Sequence, residues 1–211
     1  MMKRFRIFVE GDADKKFLSD YYHHLFQEKA SQNSIIHTGE LEKETGGYKK
    51  LTSEVNIREM CINSDQGGVN IVIFDADKDI EARRKELLSY KEEYGVEFEL
   101  FLFPNNQDSG DLEDLLESII NPNNQSIFEC WEHYEQELIT LDIPDRTPPP
   151  LTTPAKKTKI YGYLEALLYK NQKEQIKEKK RDYENTLHWN LDAAYLEPLK
   201  EFLESLLFMK E

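Results

Sequence analysis

Cysteine is scarce in this chain, with Cys61 and Cys130 alone among 211 residues. Two cysteines exclude a disulfide framework, and neither has a second Cys or a His at zinc-ligand spacing. Both are expected to be small buried apolar residues. No apolar run approaches the roughly 20 residues that a membrane-crossing helix needs, so no membrane partner is expected. The start, MMKRFRIFVEGD, sets basic residues before an apolar run as a secretory leader does. That run is only Ile7, Phe8 and Val9 before Glu10 interrupts it, too short for export. The expected compartment is the cytoplasm. Positive charge is also short: 27 Lys and Arg stand against 41 Asp and Glu, a net −14. A surface that grips nucleic acid everywhere is therefore excluded. The five histidines show no ligand spacing.

Apolar residues are present in quantity, 39% hydrophobic and 11% aromatic, enough for a sizeable core. The length suits one domain, or one domain with an elaborated end. Residues 4–10 (RFRIFVE) read as a strand that turns at Gly11. A helix begins at Asp12 or Ala13, with Phe17, Leu18, Tyr21, Tyr22, Leu25 and Phe26 as its apolar stripe. Residues 34–37 form a weak strand candidate, 44–48 a loop, and Ser53 caps a helix running to about Ser64. Residues 69–74 (VNIVIF) are apolar at nearly every position, as in a parallel strand covered on both faces. A charged helix follows to about Tyr94, then a strand over 96–103 that Pro104 ends. A helix starting near Asp111 carries Leu112, Leu115, Leu116, Ile119 and Ile120, and another covers 125–139. Strand and helix units alternate, which predicts an α/β fold with a mostly parallel sheet and helices on both faces.

The pattern changes after residue 140. Pro144, Pro148, Pro149, Pro150 and Pro154 mark an extended connector, dividing the chain into an α/β part (1–140) and a connector with a helical C-terminal extension (141–211) that packs on the same domain. A short helix is predicted over 161–168, a mobile or solvated stretch over 171–181, and a closing amphipathic helix over 191–208. From Lys156 to Arg181, nine Lys or Arg face three Glu, a local +6 that leaves −20 elsewhere. Lys156, Lys157 and Lys159, with Tyr161 and Tyr163 near them, are the candidates for touching a nucleic-acid backbone. The alternative is a solvated surface.

Ligands of open α/β sheets bind outside the carboxyl ends of the strands. Three predicted strands end in acid there: the first at Glu10, the next long one at Asp75 and Asp77, and the third ahead of Asp108, Asp111 and Glu113. Such oxygen clusters bind hard cations, Mg²⁺ with Mn²⁺ as its substitute. Glu10 precedes a glycine that lets backbone approach a ligand. Asp75 and Asp77 sit two apart, so in an extended segment both point the same way. Capping of the following helices is the structural alternative for all of them. Gly46-Gly47-Tyr48-Lys49-Lys50 reads as a turn, or as a phosphate-holding loop.

The run Val9-Glu10-Gly11-Asp12-Ala13-Asp14, followed by Ile73-Phe74-Asp75-Ala76-Asp77, resembles the TOPRIM signature: a strand-ending Glu-Gly, then a later apolar strand ending in Asp-x-Asp. The resemblance covers roughly residues 4–120, and Gln107 to Leu116 resembles the acidic helix start of the nuclease branch, the overcoming-lysogenization-defect type. The whole chain is similar to small stand-alone bacterial TOPRIM-like proteins. The resemblance implies a Rossmann-like TOPRIM fold and phosphodiester cleavage in DNA or RNA, in defence or repair. Asp75 and Asp77 would hold Mg²⁺. Glu10 would bind metal or act as general acid/base, with Glu113 and Asp111 available to a second ion. The chain lacks topoisomerase and primase parts. A non-catalytic metal- or nucleotide-binding module, or a nuclease delivered by a protein partner, are the competing readings. A dehalogenase-type phosphatase fits less well, because its Asp-x-Asp follows the first strand.

Overall fold

In the computed structural model, residues 3–31, 33–144 and 151–208 are described. Four strands, β1 (Phe5–Val9), β2 (Ile35–His37), β3 (Val69–Asp75) and β4 (Glu99–Phe103), form one all-parallel sheet in the order β2-β1-β3-β4. Ile7 lies opposite Ile35 on one side of β1, and Val9 opposite Ile73 on the other. Asp75 lies opposite Phe103. Among the described residues no helix is long and apolar enough to cross a membrane.

Alternation along the strands builds two cores. Ile7, Val9, Ile71, Ile73, Phe101 and Phe103 face one layer, while Phe8, Val72, Phe74, Leu100 and Leu102 face the other. Each fully buried side chain of this size stabilises the fold by about 2 kcal/mol. Two helices, α2 (Glu54–Asp65) and α3 (Ile80–Tyr94), send Met60 and Leu87 into the second core. On the first pack α1 (Asp12–Phe26), α4 (Leu112–Ser118), α5 (Gln125–Thr140), α6 (Lys156–Leu167) and α7 (Glu197–Leu207). Ser53 accepts from Asn56 N–H as the cap of α2, and Gly95 ends α3 in the left-handed conformation. Both follow from local chemistry.

The C-terminal segment agrees in part with the expectation of a solvated helical stretch. Residues 171–181, expected to be mobile or a solvated helix, lie in two 3₁₀ turns, and Arg181 is 1% exposed. Helix α6 starts at Lys156 rather than near Tyr161, because Lys159, Ile160, Tyr163 and Leu164 share its buried face. The closing helix begins only at Glu197, where Pro198 takes a first-turn position that needs no N–H. Cys61 and Cys130 are both exposed, on the outer faces of α2 and α5, and correct the expectation of burial. The connector prolines Pro148, Pro149 and Pro150 lie outside the described residues.

Candidate functional site

The chain runs from β1 to β2 on one side and then crosses to β3 on the other, so strand order reverses between β1 and β3. A crevice must open there, outside the carboxyl ends of these two strands. Glu10 directly follows β1 and Asp75 closes β3, on the same edge of adjacent paired strands. The Asp75 N–H donates to Glu10 Oε1 at 3.2 Å. Asp75 Oδ1 in turn accepts from Leu112 N–H at 2.9 Å, tying β3 to the start of α4. Glu10, Asp14, Asp75 and Glu113 line one cleft of about 270 Å³, with Gly46 and Gly47 on its rim. Gly46 has to be glycine, since a Cβ there would run into the Glu10 carbonyl oxygen.

Burial and mutual repulsion dominate the electrostatics. Burial pushes the Asp75 carboxyl well above the usual carboxylate range, and the charges of Asp14 and Glu10 push it further. Burial, opposed by the hydrogen bond from Gly11 N–H at 2.8 Å and assisted by the charge of Glu10, raises Asp14 to about 7. Glu10 and Glu113 are raised as well, each chiefly by burial. A set of carboxyl groups so disposed is poorly satisfied as anions and suits a hard cation, which takes oxygen donors. Among the described residues no three His, Cys, Asp or Glu side chains are drawn closely enough to hold a metal ion as they stand.

Asp77 stands outside the cleft. Its φ of 55° puts it in the left-handed region, so the alternation expected of an extended Asp-x-Asp fails and its side chain turns to the Arg83 guanidinium. Arg83 stacks 3.8 Å over the Tyr48 ring, in a neighbouring groove shared with Lys78 and Asp79. Asp111 caps α4, accepting from Asp114 N–H at 3.1 Å, and pairs with Lys156 at 3.2 Å. Asp108 accepts from Asn105 Nδ2 at 2.7 Å and does not line the cleft.

Lys156 and Lys159 are engaged with acids of α4, and Lys157 with Glu178 of its own C-terminal segment. Lys156 binds Asp114 at 2.5 Å, Lys157 pairs with Glu178, and Lys159 with Glu117 at 2.9 Å. Lys159 is buried beneath Phe128, whose ring centroid lies 4.8 Å from its ammonium, so it presents no charge to a passing phosphate backbone. Of the three lysines, Lys157 lines the cleft.

A family model described as "Protein of unknown function (DUF3226)" matches residues 4–208. The chain belongs to the DUF3226 family. No curated protein and no solved structure matches it. The DUF3226 match takes in the C-terminal segment as well as the sheet, and both contribute to the cleft. Asp14 and Glu178, which line the cleft, and Arg181 and Tyr183, buried near it, escaped the reading of the sequence. Asp14 shares the inward face of α1 with Phe17, Leu18 and Tyr21, at helical spacing, and a carboxylate on an apolar stripe was the signal available. Arg181 and Tyr183 are buried behind Glu113, the Tyr183 hydroxyl pushed up to about 12 by burial. Nothing in a Lys/Glu/Gln-rich stretch without periodicity marks Arg181. A larger cleft of about 440 Å³ opens at the amino end of the sheet beside Lys3, Arg4 and Arg6, away from the carboxylates.

Proposed function

We propose that this chain is a Mg²⁺-dependent, nuclease-like protein of TOPRIM type that cleaves phosphodiester bonds in DNA or RNA, with Mn²⁺ able to substitute. The observation that carries the reading is the meeting of Glu10 and Asp75 in the crevice between β1 and β3, with Asp14 and Glu113 buried against them. The sequence order of these groups, Glu-Gly after the first strand and Asp-x-Asp after the third, supports the same family. Glu10, Asp14, Asp75 and Glu113 are the donors for the ion, and Asp111, held by its cap and by Lys156, supports the rim.

A bound divalent cation would polarise a phosphoryl oxygen and lower the pKa of its water. Where Glu10 does not ligate the ion, its carboxyl, raised by burial, is the group able to take and return a proton there. The N-terminal backbone of α4, fixed by Asp75, orients Glu113 toward the same cleft. With a net charge of −14, the molecule repels free polyanions, so delivery of the nucleic acid by a protein partner fits the reading.

The test is incubation with labelled single- and double-stranded DNA and RNA in Mg²⁺ or Mn²⁺. Cleavage by the wild type, reduced about a hundredfold or more in Glu10→Gln, is the expected result. A second reading, a metal- or nucleotide-binding regulatory module without turnover, is favoured by the engagement of Asp77 with Arg83. It predicts metal binding with no cleavage of any of the four substrates.

A further inference from the structure

One basic side chain, Lys157, lines the carboxylate cleft, and an acid of the chain itself pairs with it. Glu178 lines the cleft alongside Glu113 and Lys157. Its carboxylate pairs with the Lys157 ammonium and accepts from the Tyr161 hydroxyl at 2.9 Å. The Arg181 guanidinium stacks on the same Tyr161 ring, 5.0 Å from its centroid. Burial works against a charge on Glu178, yet the hydrogen bonds from Lys157 and Tyr161 and the charge of Arg181 hold its carboxyl below the usual range. The cradle is filled by an internal anion.

Arg181 supplies the second observation. It is 1% exposed, its Nε donates to the Ile176 carbonyl and its Nη1 to the Tyr183 hydroxyl, but Nη2 has no hydrogen-bond partner. An unpartnered nitrogen on a buried cation is costly and calls for an explanation. A tetrahedral anion offers more acceptor oxygens than a carboxylate.

We propose that Lys157 and Tyr161, backed by the Arg181 guanidinium stacked on the Tyr161 ring, form a binding subsite for a phosphoryl group of a nucleic-acid backbone, in which Glu178 is a resident stand-in displaced when that phosphate binds. The segment that carries Glu178 is tied to the first turn of α1 by Lys179, 3.0 Å from Asp12. Displacement of Glu178 makes binding selective, because only an anion that outcompetes it gains the cradle. The inference takes its substrate from the phosphodiester-cleaving reading. Its test requires neither a cation nor cleavage, so the two fail separately.

The experiment is a calorimetric titration in EDTA of wild type, Glu178→Gln, and Glu178→Gln combined with Lys157→Gln, each checked for folding by circular dichroism. The probes are inorganic phosphate, a 5′-mononucleotide and a short oligonucleotide with unphosphorylated ends. Glu178→Gln should bind phosphate and oligonucleotide about tenfold more tightly than wild type, one such factor per 1.4 kcal/mol of competition removed. The gain should vanish when Lys157, exposed enough for substitution without loss of fold, is also neutralised. Tyr161→Phe in the Glu178→Gln background gives a second readout and should remove part of the gain. Equal affinities in wild type and Glu178→Gln, or a gain that survives Lys157→Gln, would overturn the subsite. A gain confined to inorganic phosphate would overturn its assignment to a nucleic-acid backbone.

Discussion

At Asp14, burial and the neighbouring charge of Glu10 both disfavour ionisation, and the carboxyl titrates near pH 7 rather than near 4. A folded-state pKa raised above the unfolded value means that the folded protein holds the extra proton. The stability that this contributes is complete below about pH 4 and is lost as pH rises through about 7, at up to about 1.4 kcal/mol per pH unit. Thermal midpoints measured in EDTA should therefore fall between these limits, and Asp14→Asn, which keeps an acceptor for the Gly11 N–H, should flatten the fall. An unchanged profile in that variant would place the proton elsewhere. Asp77 gives the opposite expectation. Its carboxylate is largely exposed and pairs with Arg83, so Asp77→Asn should lower stability by no more than about 1 kcal/mol. The shift of the midpoint by Mn²⁺ should survive in that variant. Glu10 and Asp75 were legible from strand ends followed by acid, whereas the turn of Asp77 was not, because a left-handed φ at a non-glycine residue leaves no mark in the pattern.

Helices and strands were legible wherever the apolar period was long. α1, α2, α3 and α5 began and ended within a few residues of their sequence signals, since caps at Ser53 and Gly95 and a regular stripe act locally. The 3₁₀ turns over Lys170–Ile176 and Glu178–Lys180 were not, because their order comes from tertiary contacts such as Lys179 with Asp12 rather than from periodicity. The loop that carries Gly46 couples two elements to the site. Its backbone crosses the Glu10 carbonyl, and the adjacent Gly47 exchanges hydrogen bonds with Thr38, whose hydroxyl donates at 2.8 Å and accepts at 3.0 Å. Gly46→Ala should push this loop away from the end of β1 and cost roughly 1–3 kcal/mol in stability. Chemical denaturation checks the prediction, and a variant as stable as wild type would show that the loop yields freely.

Over the whole molecule, an all-parallel sheet with its order reversing between β1 and β3 turns residues 65 positions apart into neighbours. The alternation of strands and helices made that arrangement legible, but not the order β2-β1-β3-β4 or the way the C-terminal segment folds back to wall the cleft. The same architecture gathers acid in a molecule already at −14, at the place proposed as a cation site. Isothermal calorimetry of Mn²⁺ into metal-free wild type and Asp75→Asn tests that claim most directly. Saturable binding to the wild type, weakened about tenfold or more in Asp75→Asn with the fold intact, is the predicted result. Heats of dilution alone in the wild type, or equal binding by the two proteins, would contradict it.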